Sequence, residues 1–348
     1  MDPEMPHNRM SRYRPEYRHD EVRLIIDSAT RGESLAFVGI AGIGKSNLVN
    51  FLREYRGRPG GNGSVDLFFP VVDATYWERT PASLWKMMLG ALAQATDELS
   101  PPGKGNRVVQ ALEGERTLDA LRVRLRWVCQ ELGHRVIFVL DDFDAVFEQG
   151  PLAMLERLNG LRSEGNRGYL SYLVFTKRLP HVLGRPHDLE SRSKFYDLFR
   201  HHIYALEPYR PEDARRMLAH LNELAGRPLS DADLAQVHKL AGGHARLLKI
   251  LFESWIRGGA PGSDPLRHFA NNLDVRQECR RILSKLHRHE QEVALLLAQH
   301  QDTAEYQRAV AHLMRRGVLV KRDPVTWFSP LMAEFLRSQD HTIGESGC

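Results

Sequence analysis

Short apolar runs alternate with stretches of helical spacing through the first two hundred residues. Five runs have the length and apolar density of buried strands: SLAFV at 34–38, LFFPVV at 67–72, RVIFVL at 135–140, LSYLVF at 170–175 and HIYAL at 202–206. Pro70 interrupts the second run. Proline cannot donate to a strand ladder, so that strand is expected at a sheet edge. Helical periodicity covers 45–56, 81–97, 114–132 and 151–163. Strands alternating with helices predict a parallel sheet covered on both faces. The Gly/Pro-rich stretches at 57–64 and 100–106 read as surface loops.

Beyond Pro208 the strands stop. Helical spacing runs over 211–225, 230–241 and 244–257, with Ser230 and Asp231 as expected caps. GGAPGSDP at 258–265 is a turn-rich break. Helices are predicted again at 276–286, 288–299 and 303–316. A hairpin of 318–321 and 326–328 and a helix at 330–337 follow. Helices followed by a two-stranded wing predict a winged helix. The expected organisation is a basic arm at 1–20, an α/β domain at 21–208, a helical unit at 209–262, a winged helix at 263–340 and a tail at 341–348.

Composition narrows the class. Of 348 residues, 42% are apolar and 26% charged, the balance of a soluble globular protein rather than a disordered one. Cys129, Cys279 and Cys348 lie far apart with no CxxC, which argues against a zinc ribbon, a redox pair and a disulfide framework. His287 and His289 are two apart and fall on different helix faces, so no histidine metal cluster is expected. No apolar run approaches the ~20 residues of a membrane span, and no membrane partner is expected. The first twenty residues are polar and Arg-rich without an apolar core; they do not read as a signal peptide, and a cytoplasmic location is expected. A net charge of +4 permits an anionic partner without requiring one.

The chemistry sits at the strand ends. Gly39, Ile40, Ala41, Gly42, Ile43, Gly44, Lys45 and Ser46 fit GxxxxGK[ST], the Walker A pattern, after an apolar strand and before an amphipathic helix. Such a loop wraps a phosphate chain with backbone N–H groups, which needs glycine where a Cβ would intrude. The helix it opens presents its positive end to the same phosphates. These residues and Asn47 are the candidate site for ATP or ADP. Lys45 would neutralise the β/γ oxygens and Ser46 would ligate Mg²⁺. The strand at 136–140 ends in Asp141-Asp142-Phe143-Asp144. Asp141 is assigned to the metal shell. Asp142 either polarises the attacking water or caps the next helix. Thr176, at the end of the strand 170–175, either senses the γ-phosphate or caps its strand.

In this order the segments resemble the STAND branch of AAA+-related P-loop ATPases, which includes the nucleotide-binding modules of immune receptors and archaeal-type ATPases. FVGIAGIGKSNLVNFL resembles the family's Walker A, VIFVLDDFDAVF its Walker B, YLVFTKR its sensor 1, AGGHARLLKIL its lid motif and RRGVLVKRDPVTWFSPLMAEFLRS its winged helix. The resemblance implies a three-layer P-loop NTPase sheet, then an all-α lid and a winged helix. Two departures stand out. Ala245 replaces the usual lid proline, which makes Gly243-His244-Ala245-Arg246 similar to the sensor 2 segment of origin-recognition-type ATPases, with Arg246 placed for the γ-phosphate. The stretch at 328–331 lacks the winged-helix histidine that receptors set against ADP.

The resemblance implies a Mg-ATP switch that hydrolyses slowly and controls nucleotide-dependent homo-oligomerisation and binding of a protein partner. The alternative is a DNA-handling ATPase. Its candidate contacts are Gln307, Arg308, His312, Arg315 and Arg316 on the third winged-helix helix, with Lys321 and Arg322 at the wing. Arg116, Arg122, Arg124 and Arg126 read as a solvated basic face. Arg157, Arg162, Arg167 and Arg185 are the candidates for an arginine finger.

Overall fold

Alternate residues of each central strand face opposite sides of one sheet, and both sides are buried. In the computed structural model, which describes residues 17–55, 66–99, 115–258, 261–320 and 325–339, the strands are β1 Leu35–Val38, β2 Leu67–Phe68, β3 Val71–Asp73, β4 Arg135–Asp141, β5 Leu170–Thr176 and β6 Ile203–Ala205. Most of the basic arm, the loops at 57–64 and 100–106, Lys321, Arg322 and the tail 341–348 lie outside the described residues. Leu35, Phe37, Ile137, Val139, Leu173 and Phe175 join the core shared with the helix Lys45–Glu54. Ala36, Val136, Phe138, Leu140, Tyr172 and Val174 join the core under Pro81–Ala95 and Glu115–Arg126. Burial on both faces is why these strands read as unbroken apolar runs.

All six strands are parallel, in the order β2–β4–β5–β1–β6, with β3 also on β4. The edge expected at 67–72 is two short strands: Pro70 breaks the ladder, although its carbonyl still accepts from the Val139 N–H at 2.9 Å. Register brings the C-terminal ends of four strands level, with Val38 beside Thr176 and Asp73 beside Asp141. The chain leaves β1 for the far edge and returns past it to β6. That order leaves a crevice at the end of β1, where open α/β sheets bind ligands.

Three helices follow the sheet: Pro211–Glu223, Asp231–Ala241 and Ala245–Gly258. Ser230 closes a capping box with Asp233, while Asp231 is the first helical residue rather than a cap. The C-terminal unit runs Pro265–Ala270, Leu273–Ser284, Arg288–Ala298 and Gln307–Arg315. An antiparallel pair β7 Leu319–Val320 and β8 Thr326–Trp327 and the helix Pro330–Arg337 complete it, in the order of a winged helix. This three-helix unit, in the position of the expected lid, meets the C-terminal unit at Gly242 and the chain leaving the sheet at Gly243, with left-handed φ of +60° and +81°. A Cβ on Gly242 would collide with the Phe328 carbonyl, and one on Gly243 with the Tyr209 carbonyl. Ser329 Oγ donates to the Leu240 carbonyl at 2.7 Å across the same joint.

The arm expected to be loose as far as residue 20 is packed from Tyr17 onward. The helix His19–Thr30, unremarked in the sequence, buries Val22, Ile25 and Ala29. Arg18 is 1% exposed. Its guanidinium lies 4.5 Å from the Tyr209 ring centroid and donates to Glu21 at 2.6 Å, to the Ile43 carbonyl at 3.0 Å and to the Glu207 carbonyl at 3.1 Å. Its backbone N–H donates to Asp213 Oδ1 at 3.2 Å. One side chain thus ties the first helix, the phosphate loop and the entry to the lid. Replacing it removes a buried charge and strands two carbonyls. Arg18→Ala should lower the unfolding free energy by about 3 kcal/mol. Urea denaturation checks this, and a loss below about 1 kcal/mol would contradict the bridging role.

Candidate nucleotide site

Three successive carbonyls of the loop between β1 and the helix Lys45–Glu54 are held from outside. Ala41 O accepts from His244 Nε2 at 2.9 Å, Gly42 O from the Arg246 N–H at 3.0 Å and Ile43 O from Arg18 at 3.0 Å. The peptide plane sets each N–H opposite the preceding carbonyl. Tying these carbonyls outward therefore turns the Gly42 and Gly44 amides toward the loop's hollow, the arrangement of an anion nest. Gly39 N–H donates to the Thr176 carbonyl at 3.1 Å, which fixes the loop's start to β5. Ile40 and Ile43 are buried and anchor the loop in the core beneath. Gly42, at φ +80°, is pressed by Glu278, Arg281 and His244, with no room for a Cβ.

The loop opens on a cleft of about 1030 Å³ lined by Gly42, Gly44, Lys45, Ser46, Asn47, Asp141, Asp142 and Arg246 among others. Seven cations, Lys45, Lys177, Arg215, Arg216, Arg246, Lys249 and Arg281, line it with four carboxylates, Asp141, Asp142, Asp213 and Glu223. That balance suits a polyphosphate. Asn47 Nδ2 donates to Tyr209 Oη at 2.8 Å, and Tyr209 Oη also meets Tyr17 Oη at 3.1 Å.

Asp142 lies between two lysines. Lys45 Nζ donates to Oδ1 at 2.9 Å and Lys177 Nζ is 3.0 Å from Oδ2. Its φ of +47° is a left-handed value that costs a non-glycine residue about 1 kcal/mol or more. Burial alone would raise its pKa, but Lys45 and Lys177 outweigh burial and hold the carboxyl below the usual carboxylate range. Asp141 behaves oppositely: burial, with Asp142 and Asp73 adding to it and Lys45 opposing, pushes it up to about 6. The capping alternative for Asp142 falls away, since the helix Asp144–Gln149 has Phe143 as its N-cap and no side-chain cap bond. Asp144 is the local staple, accepting from the Lys177 N–H at 3.0 Å and the Arg178 N–H at 3.2 Å.

Ser46 and Asp141 both line the cleft and offer hard oxygen donors suited to Mg²⁺. No cluster of three or more His, Cys, Asp or Glu ligands occurs among the described residues. This donor set fits an ion that keeps waters and shares phosphate oxygens, and not a protein-only cage.

Thr176 is fully buried, its Oγ1 has no partner, and it does not line the cleft. From that strand end Lys177 reaches in instead. Arg246 lines the cleft, half its side chain exposed, with Nε 3.3 Å from Glu278 Oε2. Lys177, Arg281 and Arg18 were not singled out in the sequence, and His244 entered only as part of the segment Gly243-His244-Ala245-Arg246; Lys177, one position past Thr176, also had a local signal. The basic helix is divided: Arg122 pairs with Asp119 and Glu164 and Arg124 donates to Thr96 Oγ1 at 2.7 Å, while Arg116 and Arg126 are exposed. Arg162 donates to the Gly32 carbonyl at 2.8 Å.

Arg316 is not available to phosphates. It is 1% exposed, ion-paired to buried Glu290, and donates to the Lys285 carbonyl at 3.0 Å. Arg308 and Arg315 are exposed. His312 turns toward the sheet domain, its ring 5.5 Å from that of His181.

No protein-family model matches the chain, and no curated protein matches it. Among solved structures, a Walker-type ATPase of Pyrococcus abyssi matches with TM-score 0.58 at 16% identity, covering 92% of this chain and 95% of that one. The ORC1 protein of Aeropyrum pernix, solved in complex with DNA, matches with TM-score 0.48 at 18% identity, covering 92% of each chain. Cdc6p of Pyrobaculum aerophilum matches with TM-score 0.44 at 14% identity over 95% of each. The chain therefore has the fold of an archaeal Walker-type ATPase: a P-loop α/β sheet with helical parts behind it. No helix among the described residues is long and apolar enough to cross a membrane.

His244 generates a pH prediction. Leu247 N–H donates to Nδ1 at 3.2 Å, so the ring proton sits on Nε2, which donates to Ala41 O. Burial pushes the pKa down to about 4, against 6.5 when exposed. The unfolded chain takes up a proton at higher pH than the folded one. The His244 contribution to stability, read as the difference between wild type and His244→Gln, should therefore fall as pH drops from about 6.5 to about 4, by about 3 kcal/mol. Denaturant titrations at a series of pH values, compared with His244→Gln, measure this; an identical slope in the variant would contradict it.

Proposed function

We propose that this chain binds and slowly hydrolyses Mg-ATP, and that its nucleotide state sets the position of the lid and C-terminal unit. The observation that carries this reading is the set of loop carbonyls held by the lid: His244 and Arg246 bond the phosphate loop directly, so the groups that would meet a phosphate chain and the unit that would move are in contact. In this reading Lys45 neutralises the phosphates, Ser46 and Asp141 hold Mg²⁺, and Arg246 reaches from the lid. Bound Mg²⁺ would supply charge neutralisation at the phosphate oxygens. Asp142 orients the attacking water and accepts its proton. Its two lysine partners make it a weak base, which supports slow turnover and a long-lived ATP state. Lys177, rather than Thr176, is the strand-end residue that senses the site. The output is a change in self-association or in binding a protein partner.

Lys45→Ala should abolish nucleotide binding while leaving the fold intact. Asp142→Asn should keep binding but slow hydrolysis by ~10²-fold or more. Fluorescent nucleotide titration and phosphate release measure the two; unaltered binding in the first variant, or unaltered turnover in the second, overturns its assignment.

A second reading, DNA binding, is favoured among the described residues by exposed Arg308 and Arg315, since Arg316 is committed to Glu290. Two phosphate contacts give a log–log salt slope near −1.8, at about −0.9 each. Arg308→Glu with Arg315→Glu should then weaken duplex binding regardless of sequence. Gel-shift titrations at two salt concentrations decide it, and no shift at low salt removes the DNA reading.

A further inference from the structure

The C-terminal unit reaches the phosphate loop itself. Glu278, on the helix Leu273–Ser284, is 3% exposed and lies against Gly42. A Cβ on Gly42 would stand 2.5 Å from Glu278 Oε1 and 2.8 Å from Arg281 Nη2. Two guanidinium groups share this one carboxylate. Arg281 donates Nε to Oε2 at 2.8 Å and Nη2 to Oε1 at 2.6 Å. Arg246, from the lid, brings its Nε to 3.3 Å from Oε2. Both arginines line the cleft, and their side chains are 37% and 58% exposed.

The charges do not balance. Two cations on one anion leave a net positive group beside the turn of the loop. A guanidinium carries five N–H donors, and Arg281 spends two of them on Glu278. A carboxylate that served only to bind the C-terminal unit to the lid would need Arg246 alone. A helix-surface pair between Glu278 and Arg281 alone would not need to be buried against Gly42.

We propose that Arg281 is a phosphate-reading residue supplied by the C-terminal unit, and that Glu278 positions it together with Arg246. The inference rests on the reading of the cleft as an ATP site. With a terminal phosphate present, the surplus donors of both arginines close on it, and the C-terminal unit is drawn toward the lid. With ADP, both arginines have Glu278 as their anion. The unit thereby distinguishes ATP from ADP by direct contact.

The test compares a non-hydrolysable ATP analogue with ADP, each with Mg²⁺, on the full chain. Arg281→Gln should weaken the ATP analogue by about tenfold and ADP by less than about twofold, as expected for a lost charged hydrogen bond. Hydrogen exchange of the segment 273–284 should be slowed more by the analogue than by ADP in wild type, and equally by both in the variant. Arg281→Lys keeps the cation and should lose less, again selectively for ATP; it serves if the Gln variant does not fold. Equal losses for both nucleotides, or none, overturn the inference. If wild type binds both nucleotides and Lys45→Ala binds neither while Arg281→Gln matches wild type, the ATP site stands and this inference alone falls. If wild type binds neither nucleotide, both fall.

Discussion

A phosphate loop can turn its amides inward only if its carbonyls find partners outside. Here those partners come from distant parts of the chain: Arg18 before the sheet, and His244 with the Arg246 amide at the start of the third lid helix. The buried ends of Arg18 and His244 would be costly without those carbonyls, and the carbonyls would be costly without them. The sheet supplies the platform, but the loop's shape depends on the lid and the first helix being in place. The loop, the first helix and the start of the helix Ala245–Gly258 are therefore one hydrogen-bonded object.

Two adjacent carboxylates show how local surroundings separate roles. Asp141 closes a buried strand beside Asp73, and burial pushes it up to about 6. Asp142, one residue on and twisted into a left-handed conformation, escapes to two lysines and is held down. Pairs of titratable groups driven apart in this way are a mark of functional sites. From that backbone conformation Asp142 makes two ion pairs, with Lys45 and Lys177.

Much of the fold was legible because its causes are local. Apolar runs buried on both faces, the capping box at Ser230 and the proline-started helix Pro330–Arg337 all write themselves into short windows. The Walker residues were legible because a phosphate loop's spacing is itself the constraint. Elsewhere the cause lay far off. Arg18 reads as one arginine of a basic arm until the backbone carbonyl of Glu207, 189 positions away, accepts a hydrogen bond from it. His244 bonds a carbonyl 203 positions earlier. Arg315 and Arg316 are indistinguishable in sequence, yet helical geometry sends one to solvent and the other onto Glu290. Thr176 was singled out over Lys177 because strand ends are easier to locate than the direction in which the next side chain points. The short helices between 180 and 197 have too few turns to show any period.

The two glycines at 242 and 243 act through what they lack. Gly242 lies on the Phe328 carbonyl and Gly243 on the Tyr209 carbonyl, each closer than a methyl group would allow. Around them side chains interlock, with Ser329 on the Leu240 carbonyl and the His244 ring 5.2 Å from that of Phe328. A methyl at Gly242 would wedge the C-terminal unit away from the helix Asp231–Ala241, and one at Gly243 would wedge the following helix away from the exit of the sheet. The spacing of the units is therefore set by two absent side chains.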